Sequence, residues 1–201
     1  MNALEAAMSI NGYSRYWHGY LVLLKPLLSI IEFNQLRTLN GILQVCLVVC
    51  ISFLLWKKNR KELIIPYLLC YGFLMPVATA KCMQFSTCFY VFNFSCMAAL
   101  IFDKKPQYRW YIFLLTGIST AYFDFLTYPL ATFGMPALLC LFIDNEHKPY
   151  TCFKKLFTYF LAWFLGYGLM WAGKLFVGSL IVGENLLSAS MDHINHWASD
   201  W

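Results

Sequence analysis

The feature that most constrains this chain is a long apolar block, Leu63 to Phe102, in which Lys81 is the single charged residue. At 1.5 Å per residue, one straight helix of that length would reach about 60 Å, roughly twice the hydrocarbon thickness of a bilayer. The block must therefore fold back on itself. It is predicted to form two membrane-spanning helices with a tight turn near Thr79 to Cys82.

The composition of the whole chain favours lipid over water as its surroundings. Of the 201 residues, 60% are hydrophobic and 12% are charged, and the charged fraction of a soluble domain is about 25%. A soluble fold of this size could not bury so many large apolar side chains, whereas lipid allows the exterior to be apolar as well. The predicted fold class is therefore all-α, a polytopic transmembrane helix bundle.

Two other classes of protein are disfavoured by the distribution of basic and sulfur-containing residues. The net charge is +5, but the basic residues stand in short clusters between apolar runs, which is typical of membrane-protein loops. The eight cysteines form no CxxC pair and lie almost all in apolar stretches, so neither a disulfide framework nor a zinc site is predicted. The predicted partner is a lipid bilayer, not nucleic acid, and the sequence leaves the oligomeric state open.

Three further apolar blocks complete the predicted bundle. Leu39 to Trp56 fits one span, and Leu156 to Val182 fits another, with Lys174 near its far end. Trp110 to Ile143 carries only Asp124 and is too long for one span but short for two, so its turn should sink toward the bilayer. The prediction is about six spans, at residues 39–56, 63–80, 84–102, 110–125, 128–143 and 156–182.

Loop charges give this bundle an orientation. The linkers Lys57–Glu62, Asp103–Arg109 and Asp144–Lys155 lie on one side of a six-span bundle and hold ten of the fifteen basic residues. By the positive-inside rule, that side is cytoplasmic. Both ends of the chain and the turns at Lys81 and Asp124 are then expected on the non-cytoplasmic side of a cell membrane.

Residues 1–38 are predicted to form an amphipathic segment at the external interface. Two apolar stretches, Leu21 to Leu24 and Leu27 to Ile31, are separated by Lys25-Pro26, and proline disfavours a straight span there. Residues 183–201 are predicted to form an external tail. Because an external amphipathic start normally follows an earlier span, the sequence is expected to be part of a longer protein.

Asp124 is the leading catalytic candidate. An ionisable group at membrane depth is costly and is a functional candidate by default. A carboxylate there could act as a general base or could orient a cation. The alternative is a turn or helix-capping residue, since Asp favours both positions.

Basic residues predicted on the same face are candidates to bind a lipid phosphate. Lys81 and Lys174 could hold such a phosphate or pair with the turn carboxylate; alternatively, their ammonium groups only snorkel to the interface. Arg15 offers a guanidinium that can grip phosphate in a fork, and His18 stands close to it in the sequence. The aromatic residues between them suit sugar stacking, or alternatively an aromatic belt at the membrane surface.

Two residues of the tail are candidate metal ligands. Asp192 and His196 are four residues apart, so a helix would place both on one face, where a divalent cation could bind. Such pairs usually face solvent, and no metal site or other cofactor is predicted from them. The sequence contains no Gly-rich phosphate loop, GxSxG elbow or HExxH motif, so soluble-type ATP chemistry is not supported.

Three phrases of the sequence resemble those of a group of bacterial multi-pass membrane proteins. They are Tyr16-Trp17-His18-Gly19-Tyr20, Tyr122-Phe123-Asp124-Phe125-Leu126-Thr127-Tyr128-Pro129 and Met170-Trp171-Ala172-Gly173-Lys174. The layout is similar to the GT-C class of membrane glycosyltransferases, which take sugars from polyprenyl-phosphate donors. In that class a first span precedes an acidic external loop; here only the interfacial part, residues 13–37, corresponds.

The resemblance implies an enzyme that moves a sugar from a polyprenyl-phosphate-linked donor at the external membrane face. Arg15, Lys81 or Lys174 would hold the donor phosphate, and Asp124 would orient or deprotonate the acceptor. One alternative is a transporter or flippase, in which Asp124 and Lys81 form a charged pair in a substrate path. Such a protein is expected to show interrupted helices in an internal repeat. The other alternative is a non-catalytic membrane subunit.

Overall fold

The computed structural model describes residues 17–123, 128–145 and 148–183. Over these residues the chain is helical and contains no strand, so the predicted all-α class is confirmed. Four of the candidate residues lie outside the described ranges: Arg15, Asp124, Asp192 and His196.

Eight α-helices make up the described part of the chain. The first four are α1 (Tyr20–Leu28), α2 (Phe33–Lys57), α3 (Ile64–Phe73) and α4 (Pro76–Lys81). The last four are α5 (Thr87–Ile101), α6 (Arg109–Phe123), α7 (Pro129–Asp144) and α8 (Pro149–Val182). Short 3-10 turns precede α3, α5 and α6, at Lys61–Leu63, Met83–Phe85 and Pro106–Tyr108.

Proline and left-handed residues mark several helix boundaries. Pro76, Pro129 and Pro149 each occupy the first turn of a helix, where a missing amide hydrogen costs no helical hydrogen bond. Asn145 follows α7 with φ of 52°, and Gly183 follows α8 with φ of 75°. Both are residue types that favour the left-handed conformation which ends a helix.

The interfacial segment differs from the sequence-based expectation. Pro26 was expected to separate two apolar stretches, but α1 runs through Pro26 and ends at Leu28. The lost amide donor falls in the last turn of the helix, where Ser29 Oγ donates to the Pro26 carbonyl oxygen at 2.7 Å. The next helix, α2, begins at Phe33 rather than at Leu39.

The region predicted as the second span, residues 63–80, is interrupted. Helix α3 ends at Phe73, Met75 adopts a left-handed conformation with φ of 53°, and α4 begins at Pro76. Proline disfavours the helical conformation of the residue before it, which favours a break between α3 and α4 at Met75. The chain therefore reverses in steps through α4 and a 3-10 turn, not through one tight turn.

Two glycines allow the backbones of α6 and α8 to lie in direct contact. Gly117 of α6 and Gly166 of α8 are buried, and a Cβ at Gly117 would overlap the Trp163 carbonyl oxygen. A Cβ at Gly166 would likewise overlap the Leu114 carbonyl oxygen. The two backbones thus lie directly against each other, as in the small-residue helix crossings of membrane proteins.

The described helices meet at two ends, named here after the residues that mark them. At the Tyr122 end, the Gly19 amide donates to the Tyr122 carbonyl oxygen at 2.9 Å, and Thr87 Oγ1 donates to the Phe123 carbonyl oxygen at 3.0 Å. At the Asp144 end, Lys58 pairs with Asp103 at 2.8 Å. Arg60, Arg109 and Lys155 also bond at the Asp144 end, to atoms of residues 143 and 144.

Two of the described helices are long and apolar enough to cross a membrane, Phe33–Lys57 and Pro149–Ile181. In each, only 22% of the most apolar window is buried inside the fold, whereas a core helix of a soluble protein would be mostly buried. Helices α5 and α7 are apolar but shorter, with 15 and 16 residues. Helix length therefore marks two spans and does not by itself establish six.

Candidate functional site

A cation and an indole ring meet at the Tyr122 end. Lys174 Nζ of α8 lies 5.1 Å from the centroid of the Trp17 ring, within the range of a cation–π interaction. Trp17 Nε1 donates a hydrogen bond of 2.9 Å to the Met170 carbonyl oxygen, one helical turn before Lys174. The ring of Trp17 also contacts the ring of Tyr122, with centroids 5.7 Å apart. The N-terminal segment and α8 are thereby joined beside the end of α6.

The segment from Trp17 to Tyr20 then crosses the end of α6. His18 adopts a left-handed conformation, with φ of 49°, which turns the chain onto that helix end. Gly19 follows, and a Cβ at this position would overlap both the ring and the carbonyl oxygen of Tyr122. Only glycine permits this approach, because any side chain would push the crossing segment off the end of α6.

The surroundings of His18 disfavour its charged form. Partial burial lowers its pKa, and the positive charge of Lys174 lowers it further. In the described part of the chain, no carboxylate forms an ion pair with Lys174. Lys174, Trp17 and His18 therefore form a cationic, aromatic cluster, called here the Lys174 cluster, that suits an anionic ligand.

Lys81 lies at the same end of the bundle but on a different side. Lys81 is the last residue of α4, and its exposed side chain borders a cleft between α2 and α4, together with Arg37. Neither α2 nor α4 belongs to the Lys174 cluster. Of the residues predicted to bind phosphate, the structure thus brings His18 and Lys174 together and leaves Lys81 apart, and Arg15 lies outside the described residues.

A long apolar groove borders the same end. It has a volume of about 640 Å³ and is lined by residues of α1, α2, α5 and α6. Along α5 its wall extends from Thr87 to Phe102, about 22 Å at 1.5 Å per residue. Tyr20 of α1 lines the groove, and its ring centroid is 6.1 Å from that of His18. The groove and the Lys174 cluster are therefore connected through neighbouring residues of one segment.

Polar side chains in the wall of the groove bond to each other or to the backbone. Ser95 Oγ and Thr116 Oγ1 are 2.6 Å apart. Thr116 Oγ1 also donates to the Ile112 carbonyl oxygen at 2.7 Å, and Tyr90 Oη donates to Asn40 Oδ1 at 2.7 Å. Because these groups already have partners, the groove presents a largely apolar interior, which suits a hydrocarbon chain.

A second ionic cluster, at the Asp144 end, was not singled out from the sequence. Arg109 is 1% exposed, pairs with Asp144, and donates to Tyr159 Oη at 3.2 Å. Lys155 Nζ bonds the same carboxylate at 2.8 Å. Burial alone would raise the pKa of Asp144, but hydrogen bonds from Arg109 and Lys155 outweigh it and hold that pKa below its usual value.

The geometry of this second cluster indicates a structural role. Arg109 Nη1 bonds both Asp144 of α7 and Tyr159 of α8, so this buried side chain joins α6 to both helices. In the sequence, Arg109 and Asp144 stood among ten basic and several acidic loop residues, and nothing in that pattern marked them as buried. Their burial depends on where α6 and α7 begin and end.

The described residues contain no group of three His, Cys, Asp or Glu side chains that could hold a metal ion. The two candidate metal ligands, Asp192 and His196, lie in the part of the chain that the structure does not describe. The site that can be assigned chemically is therefore the Lys174 cluster with its neighbouring groove. It offers positive charge for an anionic head and an apolar channel for a tail.

In comparisons with known proteins, no family model matches the sequence, and neither a curated protein nor a solved structure matches it.

Proposed function

We propose that this chain is a multi-pass membrane protein of six spans that binds a polyprenyl-phosphate-linked sugar at its external end, as part of a GT-C-like glycosyltransferase. The observation that carries the proposal is the position of the Lys174 cluster next to the long apolar groove. A lipid phosphate needs a cation for its head and a channel for its tail, and the two lie side by side here.

The charge of the donor fits the Lys174 cluster. A sugar linked through a phosphodiester carries one negative charge, which Lys174 can bind without an additional cation. Trp17 and Tyr122 present aromatic faces beside Lys174, and such faces pack against sugar rings. Asp124, which follows Phe123 in the sequence, is the proposed group that orients or deprotonates the acceptor.

Six spans are supported by the way the short helices are extended. Helix α5 continues from the 3-10 turn Met83–Phe85, and α6 continues from Pro106–Tyr108. A 15-residue helix rises about 22 Å and a 3-10 turn adds about 6 Å, which together approach a hydrocarbon layer of about 30 Å. In this topology the Asp144 end, with its many basic residues, is cytoplasmic and the Tyr122 end is external.

Binding of the donor tests the proposal directly. The purified protein in phosphatidylcholine nanodiscs would be titrated with a polyprenyl-phosphate-linked sugar and followed by native mass spectrometry. Lys174→Gln is expected to lower the affinity about tenfold, as for the loss of one charge-assisted hydrogen bond. Lys25→Gln, which removes an exposed lysine of α1, serves as the matched control and should bind as the original chain does.

The groove is tested by filling it. Ala98 lines the groove, so Ala98→Trp is expected to lower the affinity for a long-chain donor and to leave a short-chain analogue unaffected. Ala172→Trp places the same ring at an exposed position of α8 and is the control. Unchanged affinity in both Lys174→Gln and Ala98→Trp would overturn the proposed site.

The transfer step has its own test. Asp124→Asn is expected to abolish sugar transfer that depends on the polyprenyl-phosphate donor while membrane insertion continues. Unchanged transfer would remove Asp124 from the mechanism. Donor binding measured on the same variant separates a loss of chemistry from a loss of substrate.

A flippase is the second candidate, and one observation favours it. The chain between α3 and α4 is interrupted at Met75, and interrupted helices line the substrate paths of many transporters. A flippase would move a fluorescent polyprenyl-phosphate analogue across a liposome membrane without transferring its sugar. Such movement, together with an absence of sugar transfer, would favour this candidate over the glycosyltransferase.

A further inference from the structure

A second cleft opens at the Tyr122 end, separate from the groove just described. It has a volume of about 720 Å³ and lies between α2 on one side and α3 and α4 on the other. Its upper rim carries two cationic side chains, Arg37 and Lys81. Its lower wall includes the side chain of Gln44.

The two cations on the rim are not neutralised by the described part of the fold. No carboxylate among the described residues forms an ion pair with Arg37 or Lys81. Arg37 Cζ instead stands over the ring of Phe33, 5.6 Å from its centroid. Two positive charges on one rim repel each other and attract an anion. A negative group bound between them would compensate both charges.

Gln44 supplies a buried donor below the rim. The residue is 1% exposed, and its Oε1 accepts a hydrogen bond of 3.2 Å from Tyr71 Oη. Gln44 Nε2 is buried and has no hydrogen-bond partner among the described residues. A buried amide without a partner is costly, and it marks a place where a ligand acceptor would be stabilised.

The rim and the buried amide lie at two levels of one helix face. Arg37 and Gln44 are seven residues apart on α2, which is two turns and about 10 Å along the helix axis. In a glycerophospholipid, the ester carbonyls lie below the phosphate by a similar order of distance. A polyprenyl phosphate has only hydrocarbon at that depth and could not satisfy the amide.

We propose that this cleft binds an anionic, ester-linked glycerophospholipid, with its phosphate between Arg37 and Lys81 and an ester carbonyl accepting a hydrogen bond from Gln44 Nε2. The apolar side chains beside the cleft favour a lipid over free phosphate, because Ile42, Val45 and Val77 are each more than half exposed. The inference rests on the membrane embedding of the proposed function and not on sugar transfer.

The test compares lipids that differ only at the predicted contacts. The protein in phosphatidylcholine nanodiscs would be titrated with ester-linked phosphatidylglycerol, with its diether analogue and with inorganic phosphate, and bound lipid would be measured by native mass spectrometry. The original chain is expected to bind the ester lipid about five-fold more tightly than the diether lipid. Equal affinity for the two lipids, or displacement of the lipid by inorganic phosphate, would overturn the proposal.

Variants assign the two levels of the site. Arg37→Gln or Lys81→Gln should lower the affinity for both the ester and the diether lipid about tenfold. Lys25→Gln should leave both affinities unchanged. Gln44→Met should remove the preference for the ester, whereas Tyr71→Phe should keep it because the amide donor remains. Where Gln44→Met does not fold, Gln44→Leu tests the same point, since its side chain is uncharged and has no hydrogen-bond donor.

The outcome is separable from that of the proposed function. Lys174→Gln is expected to weaken polyprenyl-phosphate binding about tenfold and to leave phosphatidylglycerol binding unchanged. Gln44→Met is expected to remove only the preference for the ester lipid and to leave polyprenyl-phosphate binding unchanged. Weaker binding of both the polyprenyl phosphate and phosphatidylglycerol in either variant would show that the two sites are one. That result would overturn the proposed glycerophospholipid site. A preference for the ester that survives Gln44→Met would overturn it as well.

Discussion

Lys174 Nζ lies 5.1 Å from the centroid of the Trp17 ring, although these residues belong to opposite ends of the described chain. The indole is fixed from its other side by the hydrogen bond of 2.9 Å from Trp17 Nε1 to the Met170 carbonyl oxygen. The cation is therefore presented at a defined place, above a ring that cannot swing away. This relationship organises the Tyr122 end and gives the first prediction.

Trp17→Leu should destabilise the protein by about 2 kcal/mol, because it removes a hydrogen bond and a cation–π contact. Thermal unfolding of the purified protein in detergent measures the effect. Trp56→Leu removes an exposed tryptophan of α2 whose ring centroid lies 5.6 Å from Lys61 Nζ, and it is the control for loss of a cation–π contact alone. Equal losses in the two variants would contradict a special role for Trp17.

Gly117→Ala should destabilise the bundle by about 2 kcal/mol, because the added methyl forces α6 away from the backbone of α8. Gly168→Ala is the control within α8, since nothing lies within 4 Å of a Cβ at that position. The control is expected to be neutral or slightly stabilising, as alanine favours helix over glycine. Unfolding midpoints of the two variants that coincide would argue against the close crossing.

Arg109→Met should cost about 3–5 kcal/mol, because it leaves the Asp144 carboxylate partly buried beside Lys155 alone. The double variant Arg109→Met with Asp144→Leu is expected to recover much of that loss, since no charge then remains uncompensated. The free energy of unfolding of the two single variants and the double variant forms the measurement. Strictly additive losses would show that the pair does not interact.

The same pair predicts loss of stability in acid. The pKa of Asp144 is lower in the folded than in the unfolded chain. At a pH between these two pKa values, the unfolded chain therefore binds more protons than the folded chain. The stabilisation is present above the unfolded pKa, about 4, and is lost as the pH falls through the folded pKa. Thermal unfolding between pH 7 and pH 3 should show this slope, and Asp144→Asn should flatten it.

Cysteine labelling tests whether the chain crosses the membrane six times or twice. In a cysteine-free background with only Cys82 restored, the proposed six-span topology predicts that an impermeant maleimide added to intact cells labels Cys82. Lys105→Cys in the same background should be labelled only after permeabilisation. If only Phe33–Lys57 and Pro149–Ile181 span the membrane, both positions share one side, and their labelling would follow the same pattern.

Much of the helical architecture was readable from the sequence, because apolar blocks and proline positions act locally. The charge-poor block around Lys81 required a reversal, and Pro129 and Pro149 begin helices as the first-turn preference of proline predicts. The sequence-based expectation of a break at Pro26 was wrong, because the tendency of proline to interrupt a helix was weaker there than the surrounding helical preference. Pro26 lies inside α1, which continues past it by only two residues.

The candidate site could be predicted only in part. Lys174 and His18 were expected on one face because ionisable groups in apolar surroundings are conspicuous. The sequence could not separate Lys81 from them, because the sides on which α4 and α8 lie depend on contacts between distant parts of the chain. Gln44 escaped notice entirely, since one amide in an apolar helix acquires meaning only when its neighbours are known.

By itself, the sequence determined that the chain is helical and apolar outside, because composition and block length depend on no distant contact. The tertiary structure decided which cations share a site and which amides are buried. Gly19 contacts Tyr122, Gly117 contacts Trp163, and Trp17 bonds to α8, each across a long separation in the sequence. Such tertiary contacts depend on how the surfaces of distant helices fit together, and the type of a single residue does not predict them.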